Sequence, residues 1–439
     1  MRRVFFLTLA FAGVLSFAAL PLNASQPVLT LEKALELGLE NSLSLQKSRI
    51  DLSTAEYSAN RLWSEVFPTI NATAGAVFST NLFSDNTLEF RDRGNYNMGV
   101  GINLNLNAGI PYTMRNIRLA YQSRLLNYED ARNQLEIQIT KSFFSLITDR
   151  DNLESLSDIF QLTQLQHDRS RIAFNNGLTN ERTLMQSRLS MENARYNLSA
   201  ARSVYTTRLG DFFSLLGIDH DMDTTLEGSI EIVKIEADAE KLIREYLPKR
   251  PDIISRRQDI ERLENAEKQT AMAARAPSLN LSMNWNGQKQ GSNPFYSPLR
   301  GSATLNIPID PWIPATRAGQ TIRNTKSATE KARIDLQSAE ETAASQIRSL
   351  AANLRNSWDS IEIARLSLEI AERNYELTEL GFRNGTVESL VLEDARNNFA
   401  NSRQRLLQSE FLYLNMSLDL SAALNKNWKE LMSGYTPQE

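Results

Sequence analysis

Hydrophobic positions along this chain follow two different periods, and the switch between them happens twice from end to end. Four short segments alternate strictly. Met98, Val100, Ile102, Leu104 and Leu106 interleave with Asn97, Gly99, Gly101, Asn103, Asn105 and Asn107. Leu279, Leu281, Met283 and Trp285 interleave with Asn280, Ser282, Asn284 and Asn286. Ala303, Leu305, Ile307 and Ile309 stand against Ser302, Thr304, Asn306 and Pro308, and a weaker segment sets Ile70, Ala72, Ala74, Ala76 and Phe78 on one face. Alternate side chains point to opposite faces of a sheet, so the spacing predicts strands at about 69–79, 96–107, 278–286 and 301–309. Each is about ten residues, the length a tilted strand needs to cross ~30 Å of hydrocarbon. The polar face is rich in asparagine and small residues, as a watery lumen favours. The joining loops, 79–95 and 287–300, are long and polar, as the outer loops of barrels are.

Elsewhere the spacing is that of helices. Leu125, Tyr128, Leu135, Ile139, Leu146, Leu153, Leu156 and Phe160 form a 3-4 ladder. So do Ala343, Ile347, Leu350, Leu354, Ile361, Ala364, Leu368, Ala371, Tyr375 and Phe382. These predict helices at about 112–175 and 315–383, opening just after Pro111 and Pro314 and on the order of 100 Å long. Helices at about 179–216 and 387–424 follow them. Two more, at about 31–66 and 240–276, stop where Pro68 and Pro277 break helical bonding. A second apolar stripe, Ile363, Leu366, Ile370, Leu377 and Leu380, flanks the seam of the second long helix. Two seams require neighbours on two sides, as in a ring of helices.

The chain is duplicated. Phe67-Pro68-Thr69-Ile70-Asn71 aligns with Ala276-Pro277-Ser278-Leu279-Asn280 at an offset of 209. Ile110-Pro111-Tyr112-Thr113 aligns with Ile313-Pro314-Ala315-Thr316 at 203, and Phe174-Asn175-Asn176-Gly177 with Phe382-Arg383-Asn384-Gly385 at 208. The expected organisation is a signal peptide at 1–24, a first repeat at 25–216, a connector at 217–239, a second repeat at 240–424 and a tail at 425–439. A short strand is predicted at 229–233. Connector and tail together are expected to form a belt around the helices.

Composition narrows what such a fold does. Arg2 and Arg3, the apolar run 4–20 and the small residue Ala24 read as a secretory signal. Its removal takes 48 basic residues to 46 against 52 acidic ones, a formal charge of −6 rather than −4. That balance excludes a nucleic-acid partner, which selects a basic face. Cysteine is absent, so there is no disulfide, thiol nucleophile or lipidated cysteine. After the signal no run of 18 apolar residues occurs and mean hydropathy is negative, which leaves a β-barrel as the route into a membrane. The two histidines, His167 and His220, lack partners for acid–base or nucleophilic work. Asp219-His220-Asp221-Met222-Asp223 fails as a calcium loop, because Thr224 and Ile230 stand where glycine and glutamate are required. No catalytic, cofactor-binding or metal site is expected. Transport would be passive.

Four strands cannot close a barrel, so closure requires copies: two give 8 strands, three 12 and four 16. If each copy adds four helices in cross-section, twelve helices ~10 Å apart leave roughly 28 Å of lumen, whereas eight leave about 15 Å. The arithmetic favours three copies. The rival reading is a secreted or periplasmic coiled-coil scaffold without a pore, and it has no use for four membrane-length strands.

The chain resembles the TolC-type outer membrane factors. The resemblance rests on Leu29-Thr-Leu-Glu-Lys-Ala-Leu-Glu-Leu-Gly-Leu-Glu-Asn, on Arg250-Pro251-Asp252-Ile253, on Ile307-Pro308-Ile309-Asp310 and on the paired Phe-x-Asn-Gly turns. It implies a homotrimer with a 12-stranded transmembrane β-barrel in outer-membrane lipid, continued by a long periplasmic α-helical barrel. It also implies service in a tripartite efflux pump or type I secretion system, with a periplasmic adaptor protein and an inner-membrane transporter as partners. Carried over, the tip turns that meet the adaptor are Gly177-Leu178-Thr179 and Gly385-Thr386-Val387. In some members two carboxylates, about six and nine residues past the second tip glycine, narrow the closed end. Those places hold Val391 and Asp394 here, so Asp394 alone is the candidate gate residue, forming a ring of three in a trimer. Glu393 lies beside it but points about 100° away on a helix.

Overall fold

A computed structural model describes residues 28–78, 94–219, 225–230, 232–290, 294–426 and 428. The expected signal peptide, most of the 79–95 segment, His220 and most of the expected tail lie outside them. Among the described residues, eight α-helices and six strands follow one another in the order β1 (Val28–Leu29), α1 (Leu31–Asn41), α2 (Leu43–Ala59), β2 (Thr69–Phe78), β3 (Gly94–Leu106), α3 (Ile110–Asn175), α4 (Glu181–Leu216), β4 (Thr225–Leu226), α5 (Ala239–Tyr246), α6 (Pro251–Arg275), β5 (Ser278–Gln290), β6 (Leu299–Asn306), α7 (Arg317–Arg383) and α8 (Ser389–Leu424). The fold is mainly helical and its second half repeats the order of its first. Short 3₁₀ turns at Leu62–Val66 and Asp310–Trp312 lead from helix to sheet and from sheet to helix.

Three expectations about the helices and the connector need correcting. The helix expected over 31–66 is broken at Ser42, whose ψ of 120° leaves the helical region, and it ends as a 3₁₀ turn. The break follows from packing. Gly38 touches α3 so closely that a Cβ there would sit 2.3 Å from Ile139 Cδ1, and Asn41 lies against Gly217 at the end of α4. The helix expected over 240–276 is likewise divided, by a 3₁₀ turn at Leu247–Lys249 that contains Pro248 and by Pro251 at the start of α6. The connector strand is at Thr225–Leu226 rather than 229–233, because Val28 and Leu29 pair with it in parallel. That partner is more than 190 residues away in sequence, and no local pattern announces it.

The long helices α3 and α7, of 66 and 67 residues and about 100 Å long, pair with the 36-residue helices α4 and α8 as antiparallel hairpins over about half that length. Their packing is concentrated in two clusters. Ile139, Phe143, Leu146, Ile147, Phe212, Phe213 and Leu216 join α1, α3 and α4. Ile347, Leu354, Ile361, Tyr413, Leu420 and Leu424 join α7 and α8. Connector residues Ile232, Val233 and Ile235 lie on the second cluster, and Trp428 touches both. Tyr413, 1% exposed, fastens this strap: its Oη accepts from Ile235 N at 2.9 Å and donates to Val233 O at 2.8 Å.

Candidate channel surfaces

The sheet is built by pairing the two repeats edge to edge, in the order β2-β3-β5-β6, all antiparallel. Register carries the alternation of each strand across the whole sheet. Ile70, Ile102 and Met283 form one row, Ala72, Val100, Trp285 and Leu299 another, and Leu104, Leu281 and Ala303 a third. These apolar rows stand uncovered, with Ile70 65%, Met98 49%, Met283 52% and Leu305 62% exposed. An apolar sheet face of this extent requires an apolar surround.

On the opposite face the rows are polar: Thr69, Asn103, Ser282 and Ser302, then Asn71, Gly101, Asn284 and Arg300. The side chains bind one another across strands. Asn103 donates to Asn71 Oδ1 at 3.3 Å, Asn105 donates to Asn280 Oδ1 at 2.9 Å, and the hydroxyls of Ser282 and Ser302 are 2.7 Å apart. Glycine makes room for these amides. A Cβ on Gly101 would lie 2.7 Å from the oxygens of both Asn71 and Asn284. The outer edges of β2 and β6 have no strand beside them among the described residues, so the backbone groups there await partners.

Where α3 turns into α4, Gly177 adopts φ +70°, with Gly177 N bonded to Phe174 O and Leu178 N to Ala173 O. Gly385 does the same between α7 and α8 at φ +73°, with Gly385 N bonded to Phe382 O and Thr386 N to Gly381 O. Both turns are complete Schellman motifs, which is why each needs a left-handed residue at that place. Asn180 caps α4 through its side chain. Leu178 is 79% exposed at the end of its turn, Thr179 is half-buried, and Val387 fills the space left by Gly381.

Polar contacts between α8 and the first hairpin bring both turns to the same end of the molecule. Ser190 donates to Glu393, and Arg396 Nη1 donates to Gln166 Oε1 at 3.4 Å. Burial pulls the Arg396 guanidinium below its ordinary pKa, against the opposing charge of Glu393. Asp394 is exposed on α8, one residue from Glu393 and so about 100° around the helix from it. Sequence reasoning missed Arg396, whose signal would have been an arginine beside the buried Ala395 on an amphipathic helix. His167 is occupied within its own hairpin, 3.2 Å from Ser187 Oγ.

The start of α6 shows what the Arg-Pro-Asp-Ile motif does. Pro251 opens the helix, Ile253 is fully buried, and Arg250 holds Asp252 with two nitrogens at 3.0 and 2.9 Å while reaching Gln346 at 3.2 Å. Burial raises the Asp252 pKa, but the hydrogen bond and charge of Arg250 and the N–H of Ile253 outweigh it and bring it below the ordinary value. Asp130 on α3 goes the other way, raised by burial and then by the Asp252 charge.

Among the described residues no helix is long and apolar enough to cross a membrane, and no group of three or more His, Cys, Asp or Glu is placed to hold a metal ion.

A model of the family described as Outer membrane efflux protein matches residues 34–217 and 242–426. A comparison with curated proteins gives no match. Among solved structures, the CmeC outer membrane channel of Campylobacter jejuni is similar with a TM-score of 0.73 and 17% identity, over 92% of this chain and 88% of that one. CusC, solved in a study of folding and transmembrane channel formation, gives 0.72 and 15% over 90% and 92%. The open state of the MtrE outer membrane channel of Neisseria gonorrhoeae gives 0.71 and 16% over 90% and 89%. At these identities the likeness establishes the fold.

Proposed function

Because this chain belongs to the outer membrane efflux protein family, whose model covers both of its repeats, we propose that three copies form a passive exit duct across the outer membrane. In this reading β6 of one copy pairs with β2 of the next, closing a 12-stranded barrel with the apolar face toward lipid and the asparagine face inward. The helical hairpins continue the duct through the periplasm.

The observation that carries the proposal is the four-stranded sheet, apolar on one face, polar on the other and unpaired at both edges among the described residues. In lipid every backbone group needs a partner, so such a sheet is tolerable only when closed. The helices support it independently. Ile363, Leu366, Ile370, Leu377 and Leu380 are each more than half exposed on α7, as are Met185, Leu189 and Tyr196 on α4. Those stripes suit neighbouring copies.

A passive duct draws its energy from elsewhere, so an inner-membrane transporter and a periplasmic adaptor are the partners in this reading. The adaptor would grip the turns at Gly177-Leu178-Thr179 and Gly385-Thr386-Val387, and exposed Asp394 would place three carboxylates near the same end. Efflux is the service the family name favours, with type I secretion as the alternative. The test is light scattering of the detergent-solubilised protein together with conductance in planar bilayers. A trimer that conducts is expected; a stable monomer recovered without detergent would end the duct reading. Crosslinking in cells, with identification of the captured inner-membrane protein, separates a pump from a secretion transporter.

A further inference from the structure

The polar face of the sheet is nearly free of charge, and the one exception has a defined place. Along β2 the residues on that face are Thr69, Asn71, Thr73, Gly75 and Val77, and along β3 Asn95, Asn97, Gly99, Gly101, Asn103 and Asn105. On β5 they are Ser278, Asn280, Ser282, Asn284, Asn286 and Gln288, and on β6 Arg300, Ser302, Thr304 and Asn306. Among these described positions Arg300 alone is ionised. It lies in register with Asn284, Gly101 and Asn71, is exposed, and has no acidic residue within ion-pair distance among the described residues. The other basic strand residue of that hairpin, Lys289, stands in register with Tyr96, on the opposite face. The amides and hydroxyls around Arg300 bind one another, as Asn284 does in donating to Ser282 Oγ, and so leave the guanidinium uncompensated.

We propose that Arg300 is a selectivity residue of the duct, giving its strand-lined section a preference for anions and for solutes bearing carboxylate or phosphate groups. The inference rests on the trimeric-duct reading, which repeats Arg300 three times at one level. Twelve strands ~4.8 Å apart and tilted by ~40° enclose a backbone radius of about 12 Å, so every guanidinium lies within about 12 Å of the axis. That is close to one Debye length at 0.1 M salt, so an ion passing near the axis feels all three charges. Rings of charged side chains on pore walls set ion preference in this way, and the planar guanidinium fork fits carboxylate and phosphate oxygens.

The absence of cysteine permits a test on a single folded channel. Arg300→Cys protein is reconstituted in a planar bilayer under a KCl gradient, and the ratio of potassium to chloride permeability is read from the reversal potential. It is read before and after adding a cationic or an anionic thiol reagent, beside wild type and Arg300→Lys. At about 0.1 M salt, loss of the charge is expected to raise the ratio about two-fold or more. The cationic reagent should restore it and the anionic one raise it further. Arg300→Lys should match wild type, and the differences should shrink near 1 M salt, where the Debye length is ~3 Å. Conducting channels whose reversal potential ignores residue 300 and both reagents would overturn the selectivity role and leave the duct intact. A wild-type protein that never conducts would instead remove the duct on which the role depends.

Discussion

Single residues decide the most sharply defined parts of this molecule, the two hairpin ends. Gly177 and Gly385 have open space where a Cβ would stand, so only their positive φ excludes other residues. Gly385→Ala should therefore cost about 1 kcal/mol locally. Hydrogen exchange should show faster amide opening in the last turns of α7 and first turns of α8, with α3 and α4 unchanged. Asp130 offers a second test. Its pKa is raised in the fold, by burial first and by Asp252 next, so the native state prefers it protonated. Its stabilising effect is then complete below the ordinary value of 3.8 and is lost as pH rises through its folded pKa. Asp130→Asn, which keeps an oxygen to accept from Gln134, is expected to stabilise the protein at neutral pH. In denaturant titrations that advantage should vanish below about pH 3.8. The glycines were legible in the sequence as paired Phe-x-Asn-Gly turns. The Asp130–Asp252 proximity was not, because it joins α3 to α6 across more than 120 residues.

At the scale of elements, what the sequence announced were the features with a strong period: four strands, two long helices and the reversal after each. Sheet and helix ends were less legible. β6 ends at Asn306 rather than running to 309, since Pro308 supplies no N–H and Asp310-Pro311 starts a 3₁₀ turn. The expected 229–233 strand failed because a two-residue parallel ladder is chosen by its distant partner and not by its own propensity. The faces of the sheet allow a test of which side meets lipid. Val100, in register with Ala72 and Trp285, lies near mid-strand on the apolar face, and Thr304 lies on the polar one. An arginine on the lipid face near the bilayer midplane costs ~2–4 kcal/mol. Val100→Arg should sharply reduce the folded protein recovered in outer-membrane fractions, while Thr304→Arg should leave that amount near wild type.

For the whole molecule, the proposed trimer makes the exposed stripe of α7 the surface that would tie stability to assembly. Ile370 is 61% exposed in one copy, so Ile370→Asp should barely alter the folding of a protomer yet weaken the trimer, visible as a lower mass by light scattering. In the duct reading Asp394 is the corresponding test at the hairpin-turn end: Asp394→Asn should reduce divalent block and lower the ratio of potassium to chloride permeability in planar bilayers, and unchanged traces would remove it as a gate candidate. Period-two alternation, the 3-4 ladders and the duplicated turns set by themselves the kinds of element, their order and the need for a membrane, because each is a property of neighbours along the chain. Only the tertiary structure decided the strand order β2-β3-β5-β6, the strap held by Tyr413 and the solitary place of Arg300. Those depend on which distant segments meet, and register between strands from different repeats is fixed by packing and hydrogen bonding that no local pattern encodes.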